Sequence, residues 1–151
     1  MSWTARLAEL GIPLPPVAAP AGAYLPAVRT GSLVFTAGQL PLVDAAVMAT
    51  GKVGAHIGAE TAQQLARTCM LNALAAVDAL VGLDSVTRVV KVVGFVASAP
   101  GFTGQPAVLD GASDLLGEVF GGAGAHARSA VGVAELPLDA PVEVELIVEV
   151  A

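Results

Sequence analysis

Helical periodicity is strongest over residues 59–82, where apolar and small side chains recur at three- and four-residue spacing. Gly82 suits the end of this helix, because glycine tolerates the backbone conformations found at helix C-termini. A second helix is predicted over residues 106–120, which begin with a proline and end before a pair of glycines. Residues 3–10 are compatible with one or two further helical turns.

Strand patterns occupy much of the remaining chain. Residues 85–99 are dense in β-branched side chains, and residues 142–150 alternate glutamates with apolar residues at a period of two. Residues 127–136 form another predicted strand. The stretch "YLPAVRTGSLVFTAGQLPL" predicts two short strands joined by a turn at Thr30-Gly31-Ser32. The following "VDAAVMATGKVG" is either a third strand or a loop.

The order of these elements predicts an α+β fold. Strands, a helix, a strand, a helix and two strands are most simply arranged as one sheet with both helices packed on one face. We interpret residues 1–151 as a single domain, in which residues 1–19 are an N-terminal extension and a proline-rich connector. Because the other face of the sheet is also apolar, we expect it to pack against further subunits.

Composition strengthens the expectation of a buried core and an apolar interface. Hydrophobic residues make up 55% of the 151 residues and charged residues only 13%. Such a chain is far from the composition of disordered proteins, and it has little polar material with which to cover a monomer. Aromatic residues amount to 4%, so the core must consist mainly of alanine, valine and leucine.

Charge and chain pattern exclude several classes of partner. The formal net charge is −6, and Lys52 and Lys91 are the only lysines, so no basic face for nucleic acid can form. No apolar run approaches the length of a membrane span, and the N-terminus does not resemble a signal peptide. The single cysteine, Cys69, fits a reducing compartment. We therefore expect a cytoplasmic soluble protein that binds neither nucleic acid nor membrane.

Motifs for metals, phosphates and nucleophilic catalysis are weak. His56 and His126 are the only histidines, they lie seventy residues apart, and both are expected in loops. The glycine-rich "GGAGAHAR" precedes a strand rather than a helix, which is the wrong context for a phosphate-binding loop. Cys69 falls on the apolar stripe of the long helix and is predicted to be a core residue. We expect no metal and no cofactor.

Arg128 is the candidate that the pattern singles out, because it begins a strand of small and β-branched residues. Alternation places Arg128 on one strand face with Ala130 and Gly132, whose small side chains leave room in front of the guanidinium. A buried arginine needs a carboxylate, which it binds through a rigid fork. The carboxylate belongs either to a glutamate of a neighbouring strand or to a ligand, and the pattern leaves both open.

Three stretches of the sequence carry a resemblance to a known family: "GAYLPAVRTGSLVFTAGQLPL", "CMLNALAAVDALVGLDSVTRVVKVVGFVAS" and "HARSAVGVAELPLDAPVEVELIVEV". Over residues 20–151 the chain resembles the RidA/YjgF family of reactive intermediate deaminases, also described as endoribonuclease L-PSP. The resemblance implies a chorismate-mutase-like (YjgF-like) α+β fold. It also implies a homotrimeric barrel of sheets, with ligand sites in the clefts between subunits.

The resemblance also implies roles for individual residues. Arg128 is similar to the arginine that anchors the substrate carboxylate, and Glu143 to the glutamate that positions the hydrolytic water. Tyr24 resembles the tyrosine that lines the site from the neighbouring subunit, and Gly38 the glycine whose backbone faces the ligand. Phe95 resembles an aromatic position of the family's fourth strand.

The activity implied is hydrolysis of 2-imino or enamine acids to 2-keto acids and ammonia, with a backbone group near Gly38 or Ala130 holding the nitrogen or the developing charge. Several departures mark a divergent subgroup: Ala130 stands where the best-known members have cysteine, Ala37 replaces the usual serine, and Asp110 stands where an asparagine often opens the second helix region. The N-terminal extension and a slightly longer glycine-rich loop at 121–125 are further departures. A trimeric, non-catalytic binder of small carboxylates is therefore the alternative. Ribonuclease activity has only the family description in its favour, because the chain is acidic and poor in aromatic residues.

The distance between the two polar candidates depends on how the last strands pair. If residues 128–136 and 142–150 form a simple hairpin, Glu143 lies opposite a position near residue 135 rather than beside Arg128. The site would then need a bridging water or another subunit.

Overall fold

The computed structural model describes residues 2–151. Over this range the helices are α1 (Trp3–Leu10), α2 (Ala59–Val81) and α3 (Gln105–Phe120). The strands are β1 (Ala27–Thr30), β2 (Leu33–Thr36), β3 (Leu42–Val43), β4 (Ala46–Val47), β5 (Val86–Ala97), β6 (Ala127–Val133) and β7 (Val142–Val150). Both long helices and all the main predicted strands are confirmed. The ambiguous stretch after β2 forms a very short hairpin of β3 and β4.

The main sheet has the strand order β1-β2-β7-β5-β6. Neighbouring strands run antiparallel except β5 and β6, which are parallel because α3 connects them. The predicted α+β arrangement, with helices packed on one face of the sheet, is confirmed. The last two strands do not form a hairpin: β5 lies between β6 and β7, so the local pairing considered for these strands is wrong.

Alternation along β7 separates the core from the open face of the sheet. The even-numbered residues from Val142 to Val150 are buried beneath the helices, while the odd-numbered residues from Glu143 to Glu149 are only partly buried. Cys69 on α2 is fully buried, as its place on the apolar stripe predicts. Burial raises the pKa of this thiol well above its ordinary value, which keeps it protonated and unreactive.

Close contact between α2 and α3 depends on a glycine. Gly111 of α3 lies against the backbone carbonyl of Gln63 on α2, and a Cβ atom at this position would overlap that carbonyl. The Gln63 side chain in turn donates a hydrogen bond of 2.7 Å to the carbonyl of Ala107. The two helices therefore form one tightly packed layer over the sheet.

The N-terminal helix is part of the packed structure. The Trp3 ring meets Phe120 of α3 edge-on, with ring centroids 5.1 Å apart, and its indole N–H donates to the carbonyl of Val86 at 2.8 Å. Ser2 caps the helix by accepting a hydrogen bond from the N–H of Ala5. The predicted helical turns over 3–10 are confirmed, and the proline-rich segment that follows contains neither helix nor strand over residues 12–20.

The face of the sheet opposite the helices carries exposed apolar side chains. Phe35 of β2 is 40% exposed and Val131 of β6 is 45% exposed. Both are large hydrophobic residues that a monomer would leave in water, as the sequence pattern predicts for this face. Within residues 2–151, none of the helices combines the length and the apolar character needed to cross a bilayer.

Candidate functional site

Arg128 reaches from the sheet into the helix layer. Its register partner on β5 is Val92, which is fully buried, so the Arg128 side chain lies on the helix-covered face. There Nη1 donates to Asp110 Oδ1 at 2.9 Å and to Ser113 Oγ at 3.1 Å, and Nη2 donates to the carbonyl of Pro106 at 3.3 Å. All three acceptors belong to α3, so the carboxylate partner of Arg128 comes from the helix rather than from a neighbouring strand.

Within residues 2–151 these contacts use only one of the two N–H groups of Arg128 Nη2. Both N–H groups of Nη1 are used, whereas Nε donates to no acceptor found among residues 2–151. A guanidinium can bind a carboxylate bidentately through Nε and Nη2. The Arg128 side chain is 23% exposed and that of Asp110 is 50% exposed, so the ion pair borders solvent.

Ser113 and His126 extend this polar cluster. Ser113 Oγ lies 2.9 Å from His126 Nε2, and His126 Nδ1 lies 2.6 Å from the carbonyl oxygen of Gly124. Because a carbonyl oxygen can only accept, Nδ1 carries a proton and donates it. In the neutral imidazole Nε2 must then accept from the Ser113 hydroxyl, whose oxygen also accepts from Arg128. We call Asp110, Ser113, His126 and Arg128 the α3–β6 cluster.

The space in front of the small residues of β6 is filled by side chains. Ala130 packs against the hydrophobic core, and its neighbour Gly94 on β5 lies directly beneath Leu109 of α3. A Cβ atom at Gly132 would come within 2.9 Å of Gln105 Nε2. The room expected in front of the guanidinium along this strand face is therefore taken by α3, and Arg128 is accessible from the edge of the cluster instead.

Glu143 belongs to a second group of residues on the open face of the sheet. It pairs in register with Phe95 of β5, which in turn pairs with Val131 of β6. Gly38 closes over the Glu143 side chain, because a Cβ atom at Gly38 would lie 2.5 Å from Glu143 Oε2. Glu143, Phe95 and Gly38, three of the residues singled out by the family resemblance, are thus neighbours, and we call them the open-face cluster.

Burial raises the pKa of the Glu143 carboxyl above its ordinary value, and the nearby Glu145 carboxylate raises it further. The protonated form of Glu143 is therefore more favoured than in an exposed glutamate. A partly buried carboxyl with a raised pKa is a candidate acid or base.

The two clusters lie on opposite faces of the sheet. Arg128 is the register partner of Val92, whereas Glu143 is the register partner of Phe95, and successive residues of a strand point to opposite faces. One chain therefore does not bring the predicted carboxylate anchor and the predicted water-positioning glutamate together. Any site that uses both needs surfaces from more than one subunit.

Tyr24 lies apart from both clusters within one chain. It is 49% exposed, and its hydroxyl oxygen accepts the N–H of Ala21 at 3.1 Å within its own loop. The exposed position agrees with contact to a neighbouring subunit, and that role of Tyr24 stays a prediction.

Sequence reasoning missed the partners of Arg128. Asp110 and Ser113 are three residues apart on α3, a spacing that places both on one face of a helix, and His126 precedes Arg128 by two residues. These spacings are present in the sequence, but they identify Asp110, Ser113 and His126 as neighbours of Arg128 only when α3 is known to cover β6.

Both histidines lie in loops as predicted. Among residues 2–151 no three histidine, cysteine, aspartate or glutamate side chains group as metal ligands.

The fold and the two clusters define a small α+β protein with an arginine-centred polar site and an open apolar sheet face. The sequence profile of the family described as Endoribonuclease L-PSP matches residues 16–150. The chain belongs to this family, the RidA/YjgF family, as its sequence resemblance indicates.

Individual relatives agree with this assignment. Protein TCP17 of Trypanosoma cruzi is 48% identical over 147 residues, which cover 96% of this chain and 92% of the relative. The crystal structure of Atu1372 from Agrobacterium tumefaciens is 42% identical, with a TM-score of 0.89 over 99% of this chain and 94% of that one. Escherichia coli TdcF, solved with bound serine, is 26% identical, with a TM-score of 0.65 over 91% of this chain and 94% of that one.

Proposed function

We propose that this protein hydrolyses 2-imino or enamine acids to 2-keto acids and ammonia, with Arg128 anchoring the substrate carboxylate. The observation that carries the proposal is the hydrogen bonding of the Arg128 guanidinium. Its Nη1 end is held by Asp110 and Ser113 and its Nη2 donates to the Pro106 carbonyl, while Nε has no acceptor among residues 2–151. A guanidinium held in this way is oriented before a ligand arrives, which lowers the entropic cost of binding.

The class of ligand follows from the unused N–H donors of the Arg128 guanidinium and from the family. A bidentate guanidinium contact selects planar carboxylates, and both substrate and product of the proposed reaction carry one. TdcF, a member of the same fold, binds serine, which is a small molecule with a carboxylate. Small 2-imino and 2-keto acids are therefore the proposed ligands.

The open-face cluster enters the proposed site through assembly. We propose a homotrimer in which the sheets pack through the face that carries Phe35 and Val131, so that each cleft combines residues of two subunits. Tyr24 of one subunit then lines the cleft of the next. Glu143, with Phe95 and the Gly38 backbone beside it, faces this interface.

Hydrolysis of the substrate requires few catalytic groups, because an imine already reacts with water. Water adds to the C=N carbon, the nitrogen gains a proton, and the carbinolamine that results loses ammonia to leave the 2-keto acid. Arg128 orients the substrate through its carboxylate. Glu143, whose carboxyl has a raised pKa, orients the water. Backbone groups at Gly38 or Ala130 hold the nitrogen or the developing charge.

A non-catalytic carboxylate-binding protein is the second candidate function. The observation in its favour is the alanine side chains at Ala130 and Ala37, which offer no polar atom to a ligand. Arg128 would serve this function equally well. Ribonuclease activity is disfavoured by the net charge of −6, since RNA binding requires basic and stacking side chains.

The test is a coupled assay in which an amino-acid oxidase or a serine/threonine dehydratase generates imines in the presence of semicarbazide, which traps them. Wild-type protein is expected to reduce the trapped product. Arg128→Ala is expected to lose at least about ten-fold in kcat/KM, since a charge-assisted hydrogen bond contributes roughly 1.5–3 kcal/mol. Arg128→Lys is expected to recover only part of this, because an ammonium cannot form the bidentate contact.

Arg88→Ala is the matched control, because Arg88 is an exposed arginine of β5 that takes no part in either cluster. It is expected to match wild type. No reduction of trapped product by wild type, across several amino acids, would contradict the deaminase proposal. If 2-ketobutyrate still raised the melting temperature of wild type but not of Arg128→Ala, the carboxylate-binding alternative would replace it.

A further inference from the structure

The hydrogen bonds of the α3–β6 cluster define a direction for proton transfer. His126 Nδ1 donates to the Gly124 carbonyl, so in the neutral imidazole Nε2 is left as an acceptor. The Ser113 hydroxyl is 2.9 Å from Nε2 and donates to it, while its oxygen accepts from Arg128 Nη1 at 3.1 Å. Ser113, His126 and the Gly124 carbonyl thus form one continuous hydrogen-bonded chain, in which the carbonyl orients the histidine base.

One acceptor position of Ser113 is not used by this network. A hydroxyl oxygen has two lone pairs, and Arg128 uses one of them. The other can accept a hydrogen bond from a water molecule bound beside the guanidinium. Such a water would be linked to His126 Nε2 through a single hydroxyl.

The geometry points to Ser113 and His126 as a proton relay for a substrate anchored by Arg128, an inference that rests on the proposed function. When water adds to the C=N carbon, its proton passes to Ser113 Oγ as the Ser113 proton passes to His126 Nε2. The imidazolium returns a proton through Ser113 to the nitrogen, which gives the carbinolamine. The carbinolamine O–H proton then follows the same route to the nitrogen as the C–N bond breaks, releasing ammonia and leaving the 2-keto acid.

Within one chain His126 is better situated for this role than the carboxyl groups. Glu143 lies on the opposite face of the sheet from Arg128. Asp110 is close to Arg128, but its Oδ1 is already engaged as the acceptor of Arg128 Nη1 at 2.9 Å. Proton transfer at the anchored substrate therefore falls to the serine–histidine pair.

The proton relay predicts that loss of His126 lowers turnover but leaves substrate binding intact. His126→Asn can keep the hydrogen bond to the Gly124 carbonyl through its amide N–H but has no basic nitrogen facing Ser113. It is expected to lower kcat about 10²-fold, which is the lower end of the effect of general acid–base groups, and to leave KM within about two-fold. Ser113→Ala is expected to lower kcat by a similar factor and to weaken binding as well, because Ser113 also holds Arg128. Ser113→Thr, which restores a hydroxyl, is expected to recover much of the loss.

One control and three possible outcomes keep this inference separate from the proposed function. His56→Asn, at an exposed loop histidine outside the cluster, controls for loss of a histidine and is expected to match wild type. Wild-type turnover together with full activity of His126→Asn would overturn the relay and leave the deaminase function standing. A parallel loss of kcat and of 2-ketobutyrate binding in His126→Asn would also overturn it, because the cluster would then only hold Arg128 in place. Absence of turnover in wild type would overturn both.

A measurement on unaltered protein tests the same network without any risk of misfolding. Nitrogen-15 NMR of the histidine rings distinguishes the two neutral tautomers. The relay requires the neutral form of His126 to carry its proton on Nδ1, with Nε2 accepting from Ser113. A neutral His126 protonated on Nε2 would overturn the proposal, since that nitrogen could not receive the Ser113 proton.

Discussion

At the residue scale, position on a strand decides what a polar side chain can do. Arg128 and Glu143 are the two charged residues singled out by the family resemblance, yet one faces α3 and the other faces the open side of the sheet. Arg128 is consequently held by helix side chains, whereas Glu143 lies against Gly38 and beside its register partner Phe95. The same strand alternation that builds the core thus divides the candidate site into two halves.

Glu143→Gln is expected to change how stability depends on pH. The pKa of Glu143 is raised in the folded protein by burial and by Glu145, so wild type loses stability as pH rises from the ordinary carboxyl range through the raised pKa. Glutamine does not titrate, so the variant is expected to be the more stable protein above that window. The difference should shrink on acidification, as followed by thermal unfolding over a pH series.

Glu149→Gln provides the charge control for this experiment, because it removes one carboxylate from the same strand and the same face. An equal gain in both variants would mean that relief of net negative charge, rather than the enclosure of Glu143, explains the effect. A difference between Glu143→Gln and wild type that does not change with pH would contradict the assignment of the raised pKa.

At the scale of elements, the site depends on how closely α2, α3 and the sheet approach one another. α3 carries Asp110 and Ser113 to Arg128, and its own position is set by the contact of Gly111 with the Gln63 carbonyl of α2. A glycine in the middle of a helix costs about 1 kcal/mol relative to alanine, so packing must compensate for it. The geometry of the α3–β6 cluster therefore depends on the packing of α3 against α2 at Gly111, which lies outside the cluster.

Gly111→Ala is expected to destabilise the protein by about 1–3 kcal/mol, because the new Cβ atom would overlap the Gln63 carbonyl and force the helices apart. Gly117→Ala is the matched control on the same helix, where a Cβ atom would have no neighbour within 4 Å. That variant is expected to gain up to about 1 kcal/mol from helix propensity. Chemical unfolding measures both, and an equal gain in the two variants would contradict the close contact.

At the scale of the whole molecule, the apolar open face determines whether the two clusters can cooperate. The helices protect one face of the sheet, but Phe35 and Val131 remain 40% and 45% exposed on the other. Covering this face with copies of itself would bury these residues and would bring surfaces of different subunits into one cleft. Assembly and activity are therefore expected to be lost together.

Val131→Asp is expected to shift the protein from trimer to monomer, because a carboxylate buried without a partner costs several kcal/mol. Leu80→Asp is the control, since Leu80 is also 45% exposed but lies on α2 in the helix layer. Analytical ultracentrifugation measures the mass of each variant, and the imine assay is run on the same samples. Retention of the wild-type mass by Val131→Asp would show that subunits do not meet through this face.

Much of the fold was predictable from local patterns, because helix and strand periodicity depend on residues close together in the chain. The bounds of α2 and β7 agree with prediction within one residue. β6 ends three residues earlier than predicted, at Val133, and the expected space in front of Arg128 is filled by α3. These errors concern contacts between distant segments, for which alternation within a strand contains no information.

The sequence by itself determined the element types, the apolar character of both sheet faces and, through its resemblance, the RidA/YjgF family. Only the tertiary structure decided that β5 separates β6 from β7, that Arg128 and Glu143 face opposite sides, and that Arg128 meets Asp110 and Ser113. The physical reason is the range of the interactions. Periodicity records which side of an element is buried, whereas strand order and helix placement result from long-range packing that joins residues far apart in the chain.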